Sequence, residues 1–167
     1  MIVRAIQAED AADLNRMRTM DGVRENILGI KSERVSDSEA FIRALTPNDH
    51  LLVAEVDGSA VGCVGLSVPP GARVRHTGSV GIMIHVDYQG RGIGRALMTA
   101  ILDLADRWLM LKRVELCVFT GNERALALYR SLGFVVEGTK KYAAVREGVY
   151  ADEYLMARYR DASPDGR

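Results

Sequence analysis

The sequence predicts a mixed α/β fold, in which helices pack on a twisted sheet of parallel and antiparallel strands. Three observations carry that expectation. Short apolar, strand-like runs alternate with helical periods along the 167 residues. An Asp57-Gly58 pair between two such runs is a strong hairpin signal. A strand, a long amphipathic helix and another strand follow one another from Val80 to Phe119, the pattern of a crossover joining parallel strands.

Taken in order, Ile2 to Ile6 reads as a strand and Ala8 to Met20 as a helix, with Ala11, Leu14, Met17 and Arg18 at helical spacing. Gly22 to Ser36 lacks a period and reads as a loop or a broken helix. A second helix is expected from Ser36, with Ser36 as cap and Glu39 closing a capping box, and it should end before Pro47. Leu51 to Val56 and Ala60 to Val68 form the hairpin strands. After Pro69-Pro70-Gly71, Ala72 to Thr77 should be a mobile basic loop and Val80 to Val86 a strand. Ile93, Ala96, Leu97, Ala100, Ile101, Leu104, Ala105 and Trp108 trace one buried helical stripe. Arg113 to Phe119 is a strand, Asn122 to Leu132 a helix closed by Gly133, and Phe134 to Lys140 and Val149 to Tyr159 are strands joined across Arg146-Glu147-Gly148. The expected organisation is one domain over residues 1–160 with a frayed tail over 161–167.

Composition limits the function. Apolar residues make up 48% and charged residues 26%, which is globular. Lysine plus arginine equals aspartate plus glutamate at 22 each, so no bulk positive field favours nucleic acid or an anionic membrane. Neither is expected as a partner. The N-terminus carries no signal-peptide pattern, and Cys63 and Cys117 show neither disulfide nor metal spacing. Both cysteines read as reduced, buried thiols in a cytoplasmic protein, and no metal is expected.

Chemistry concentrates at Gln89-Gly90-Arg91-Gly92-Ile93-Gly94-Arg95, between a strand and the strongest helix. Glycines there admit a ligand close to the backbone, and the unpaired amides and positive dipole end of the helix suit a phosphate. Arg91 and Arg95 can add charge-assisted contacts. A nucleotide-triphosphate loop would need Gly-Lys-Ser/Thr, and a dinucleotide fingerprint would need a third glycine at Arg95 or Leu97. Neither is present.

Gln89-x-x-Gly92-x-Gly94, followed by Asn122-x-x-Ala125-x-x-Leu128-Tyr129 and Leu132-Gly133-Phe134, resembles the two motifs of the GCN5-related N-acetyltransferase (GNAT) family, from Val3 to about Arg158. The resemblance implies an acyl-CoA N-acyltransferase fold: about seven strands, mostly antiparallel, with helices on both faces. It implies acetyl-CoA as co-substrate, with the pyrophosphate on backbone amides of Gln89, Gly90, Arg91, Gly92, Gly94 and Arg95. Backbone groups of Ile84 and Val86, exposed where that strand splays at a bulge, would pair with the pantetheine arm, and one N–H would polarise the thioester carbonyl. Asn122 matches the residue contacting that arm, and Tyr129 matches the general acid.

The family's usual glutamate base falls on Ser79 here. Glu115, His76, His85 or a water chain remain as candidates for the base, Glu115 being the side chain expected to act beside Tyr129. Direct attack by the amine needs no covalent intermediate. The acceptor groove is implied between Gly22–Ser36 and Tyr142–Asp152, with Glu25, Asn26, Tyr142 and Tyr150 as leading contacts and Arg24, Asp152 and Glu153 as further ones. The C-terminal run from Glu137 to Arg158 resembles a bacterial branch associated with small-molecule and amino-acid amines. A small primary amine is therefore the expected acceptor. A protein N-terminus or lysine, or a sensor that binds acyl-CoA without turnover, are the alternatives. The resemblance also implies a homodimer.

Overall fold

A computed structural model describes residues 1–160; the tail expected to fray lies outside the described residues. Seven strands form one sheet in the order β1-β2-β3-β4-β5-β7-β6. They are β1 Ile2–Ala5, β2 Asp49–Val56, β3 Ser59–Ser67, β4 Thr77–Ile84, β5 Arg113–Phe119, β6 Val135–Arg146 and β7 Val149–Tyr159. Among the described residues only β4 and β5 pair in parallel, and every other ladder is antiparallel. The helices are α1 Ala11–Thr19, α2 Val35–Arg43, α3 Ile93–Asp103 and α4 Glu123–Ser131.

Alternation along the strands sends side chains to two cores. Val53 and Cys63 meet Leu14 and Met17 of α1 on one face. Val64, Leu66 and Val114 meet Leu97, Ile101 and Leu126 of α3 and α4 on the other. Leu97, Met98 and Ile101 have no exposed surface, and each fully buried side chain of this kind stabilises the fold by about 1.5–3 kcal/mol. Gly62 lets α3 approach: a Cβ there would lie 2.8 Å from Ile84 Cδ1 and 3.0 Å from Leu97 Cδ1.

Several boundaries differ from the expected ones, each for a local reason. Helix α2 begins at Val35, and the Asp37 carboxylate accepts from the Arg34 N–H at 2.8 Å, so Ser36 is inside the helix and not its cap. The stripe of α3 stops short of Trp108. After Asp103 the chain widens into a π turn over Leu104–Trp108, in which the Leu109 N–H donates to the Leu104 carbonyl at 3.0 Å. The wider turn breaks the helical phase, leaving Trp108 75% exposed while Asp106 turns to a two-pronged ion pair with Arg158 at 2.7 and 2.8 Å. Strand β4 starts at Thr77, where the Lys112 N–H holds the preceding loop by the His76 carbonyl at 2.8 Å. Phe134 is buried ahead of β6, which runs on to Arg146 with register shifts at Val136/Gly138 and Lys140/Ala144.

Candidate functional site

The parallel ladder between β4 and β5 is short. It pairs Thr77 with Arg113, Gly78 with Val114 and Ser79 with Glu115, and then stops, although β4 runs on to Ile84 and β5 to Phe119. The two strands part beyond Ser79. Against β3 the register of β4 is unbroken, so the parting occurs without the expected bulge. The His85 N–H donates to the Val61 carbonyl of β3 at 2.9 Å. Backbone groups alternate sides along a strand, so those of Ile82 and Ile84 point away from β3, into the gap. The Ile84 carbonyl there is taken by Gln89 Nε2 at 3.1 Å, which leaves its N–H toward the opening. Val86 has left the sheet for a 3-10 turn, Val86–Tyr88, so the strand-like pairing expected of it does not extend that far.

Beside the gap stands the start of α3. Gly90 and Gly92 have φ of 75° and 82°, a left-handed backbone that side chains other than glycine adopt at a cost. A Cβ on either would meet nothing within 4 Å. The first helical bond runs from the Ala96 N–H to the Gly92 carbonyl at 3.0 Å, so the amides of Ile93, Gly94 and Arg95 have no acceptor within the helix. This array of donors can hold a phosphate group. Gln89 braces the loop with its side chain: its Oε1 accepts from Arg124 Nη1 of α4 at 2.6 Å while its Nε2 holds Ile84. Arg95 donates to Ser131 Oγ at 2.9 Å, and Arg91 lies over the Tyr88 ring at 5.2 Å, outside the cleft lining.

One continuous cleft of about 1010 Å³ joins these features, running from Gly90, Gly92, Gly94 and Arg95 through the β4–β5 gap to the α1 face. Tyr129, on α4, lines it and is 7% exposed, with its ring 5.9 Å from that of Phe134. Burial pushes its phenol up to about 12, so it carries its proton at neutral pH. Asn122 also lines the cleft and caps α4, its Oδ1 accepting from the Ala125 N–H at 3.2 Å.

The other residues expected at the site are divided. Asn26 lines the cleft and accepts from Arg146 Nη2 at 3.2 Å, which ties the α1–α2 loop to the β6–β7 hairpin. Glu25 turns back to the Gly22 N–H at 2.8 Å and lies outside the lining. Tyr142 and Tyr150 pack together, ring centroids 5.9 Å apart, in a separate recess with Asp152. Glu115 is held by Arg113 Nε at 2.9 Å and is absent from the cleft wall, as are His76 and His85. Glu153 does line the wall, with Lys140 and Cys117. Cys117 is exposed there, contrary to the expected burial, whereas Cys63 is buried and its thiol is pushed up to about 12 by burial. Arg18 and Phe41, from α1 and α2, reach the cleft as well. Sequence pattern assigned them to helices but gave no sign of where those helices sit against the gap.

A split sheet, a glycine turn of free amides and a buried phenol on one cleft define an acyltransferase that draws on coenzyme A thioesters. The chain belongs to the acetyltransferase (GNAT) family, whose model matches residues 20–134. It is an N-acetyltransferase with acetyl-CoA as its acetyl donor. It is 39% identical over 114 residues to the L-amino acid N-acetyltransferase AaaT of Escherichia coli, covering 68% of this chain and 70% of that protein. It is 40% identical over 124 residues to the N-alpha-acetyltransferase RimI of Mycobacterium tuberculosis, covering 71% and 72%. Among solved structures, the putative acetyltransferase yncA of Salmonella typhimurium, with its cofactor acetyl-CoA, superposes with a TM-score of 0.83 at 22% identity over 100% of this chain and 99% of that one. An acetyltransferase of the family from Streptococcus pneumoniae gives 0.79 at 28% identity, over 95% and 99%. Among the described residues no helix is long and apolar enough to cross a membrane.

Proposed function

We propose that the chain acetylates the primary amine of a small molecule, an amino acid above all, by direct attack on acetyl-CoA in a ternary complex. The observation that carries this reading is the continuity of one cleft from the free amides of α3, through the β4–β5 gap, to Tyr129 and the α1 face. The diphosphate sits on the amides of Gly90 to Arg95, and the pantetheine arm enters the gap beside Ile84 and Asn122. The Ile84 N–H points at the thioester carbonyl and stabilises the oxyanion as the amine adds. Collapse of the intermediate breaks the C–S bond. Tyr129 donates a hydrogen bond and then its proton to the departing sulfur, and the proton shed by the amine restores the phenol through water.

Water takes the place of a side-chain base because Glu115 is engaged by Arg113 and stands off the cleft. The bridge from Arg146 to Asn26 joins the two segments expected to line the acceptor groove and supports a small acceptor over an extended polypeptide. The similarity to an N-alpha-acetyltransferase favours one second reading, a protein N-terminus, which presents the same α-amine. A single domain over residues 1–160, a cytoplasmic location and a homodimer are part of the proposal. The test follows coenzyme A release with free amino acids, polyamines and short peptides as acceptors. Turnover with free amino acids is expected, and turnover with peptides alone overturns the small-molecule reading.

A further inference from the structure

Glu153 is the carboxylate of the cleft wall, and its setting differs from that of the other charged groups on the same strands. Cα pairing places it opposite Phe119 of β5 on one side and Lys140 of β6 on the other, on the stretch of β5 beyond Glu115 that β4 no longer covers. Only 9% of its surface is exposed. Among the described residues its one ionic neighbour is Lys140 Nζ, at 3.8 Å, beyond hydrogen-bond distance. Other ion pairs made by β5, β6 and β7 close tightly: Lys141 to Asp152 at 2.7 Å, Arg113 to Glu137 at 2.5 Å, Arg158 to Asp106 at 2.7 Å. A mostly buried carboxylate with a single loose partner keeps acceptor capacity for a ligand entering the cleft. Lys140 is half exposed, and its Nζ also lies 3.7 Å from Cys117 Sγ, so it faces the cleft.

The two groups therefore offer a negative and a positive charge a few ångströms apart on one wall, with neither saturated by the other. An α-amino acid carries an ammonium and a carboxylate at comparable separation with the opposite order of charge. We propose that Lys140 and Glu153 together read the zwitterion of an α-amino acid, Glu153 taking the ammonium and Lys140 the carboxylate. This rests on the acetyltransferase reading above and deepens it. Glu153 holds the amine beside the gap until a proton is lost to water, and Lys140 turns the molecule so that its nitrogen and not its side chain faces the thioester. Simple amines and polyamines satisfy Glu153 alone and leave Lys140 without a counter-charge. Amino-acid amides and esters do the same.

The experiment measures kcat/KM for a panel of L-amino acids and for their amides, with the wild type, Lys140→Gln, Lys140→Arg and Glu153→Gln, alongside acetyl-CoA affinity and melting temperature. The wild type should prefer acids over amides by about 10- to 100-fold, the range of a hydrogen bond to a charged group. Lys140→Gln should erase that preference through KM, and Lys140→Arg should restore most of it. Glu153→Gln should lower kcat/KM for acids and amides alike, with acetyl-CoA affinity unchanged. Equal use of acids and amides by the wild type, or a preference that survives Lys140→Gln, overturns the zwitterion pair while leaving the acetyltransferase reading intact. Lys140 is exposed enough that its variants fold, so the outcome does not depend on Glu153→Gln. No transfer to any amine by a wild type that binds acetyl-CoA overturns both.

Discussion

Two glycines with nearly the same backbone separate the cost of a strained turn from the loss of a ligand. Gly92 has φ of 82° and lines the cleft at the start of α3; Gly58 has φ of 81° in the β2–β3 hairpin, away from it. A Cβ at either position meets nothing within 4 Å. Replacing either by alanine therefore adds no clash in the free protein and costs only the left-handed conformation, about 1–2 kcal/mol. In a chain of this size that lowers Tm by about 2–8 °C, equally for the two variants. At about 100 times its Kd, acetyl-CoA should raise wild-type stability by about 2.7 kcal/mol. On the proposed placement of the diphosphate, a methyl at position 92 crowds its approach to the α3 amides. A tenfold loss of affinity there removes about 1.4 kcal/mol, roughly half of the ligand-induced rise. Thermal melts with and without acetyl-CoA measure both terms. Gly58→Ala should keep the full rise and Gly92→Ala about half of it. A full rise in Gly92→Ala, with its apo Tm lowered like that of Gly58→Ala, would falsify the placement of the diphosphate on this turn.

Tyr129→Phe should lower kcat by about 100-fold and leave acetyl-CoA affinity within about twofold, since the ring stays and only the proton donor goes; steady-state kinetics with calorimetry separates the two. Loss of both together would make the phenol a packing group. Burial raises the Cys63 thiol from 9.0 and the Tyr129 phenol from 10.0 to about 12. Both groups keep protons in the fold that the unfolded chain releases, so their stabilising contribution is complete below about pH 9 and fades as the pH climbs toward 12. Tm should fall across that window, and Cys63→Ala should flatten the slope whatever it does to the absolute value; an unchanged slope contradicts the assignment. At the other end, Arg4 holds the Asp10 carboxyl below its usual range through two bonds of 2.8 Å, with help from the Gln7 N–H at 2.7 Å. That contribution is present above the ordinary carboxylate range and is lost as pH falls through the lowered value. Asp10→Asn should destabilise by about 1–3 kcal/mol in urea unfolding, below the figure for a fully buried pair because Arg4 is partly exposed.

Periodicity revealed the order of strands and helices and the crossover from β4 to β5, because alternation and the α3 stripe are strong local signals. What it missed depends on contacts made across the fold. Trp108 fits the stripe by spacing, yet the turn widens after Asp103, which turns the indole outward while Asp106 pairs with Arg158 across the fold. Ser36 has the chemistry of a cap, but the Arg34 N–H finds Asp37 and the cap falls two residues earlier, at Arg34. At the site, the glycine turn and Tyr129 were legible because they sit in motifs. Glu115 has the right residue type and faces the α1 side, but nothing local announces that Arg113, two residues back, engages it. Cys117 and Lys140 were hidden for the converse reason: only the parting of β4 and β5, a property of the whole sheet, opens the wall on which they stand.

Co-crystallisation with acetyl-CoA tests the central claim most directly. The diphosphate is expected on the amides of Gly90 to Arg95 and the acetyl thioester between β4 and β5, its sulfur within hydrogen-bond reach of the Tyr129 hydroxyl. Density for the diphosphate elsewhere, or a gap left empty with the donor bound outside it, would contradict the account.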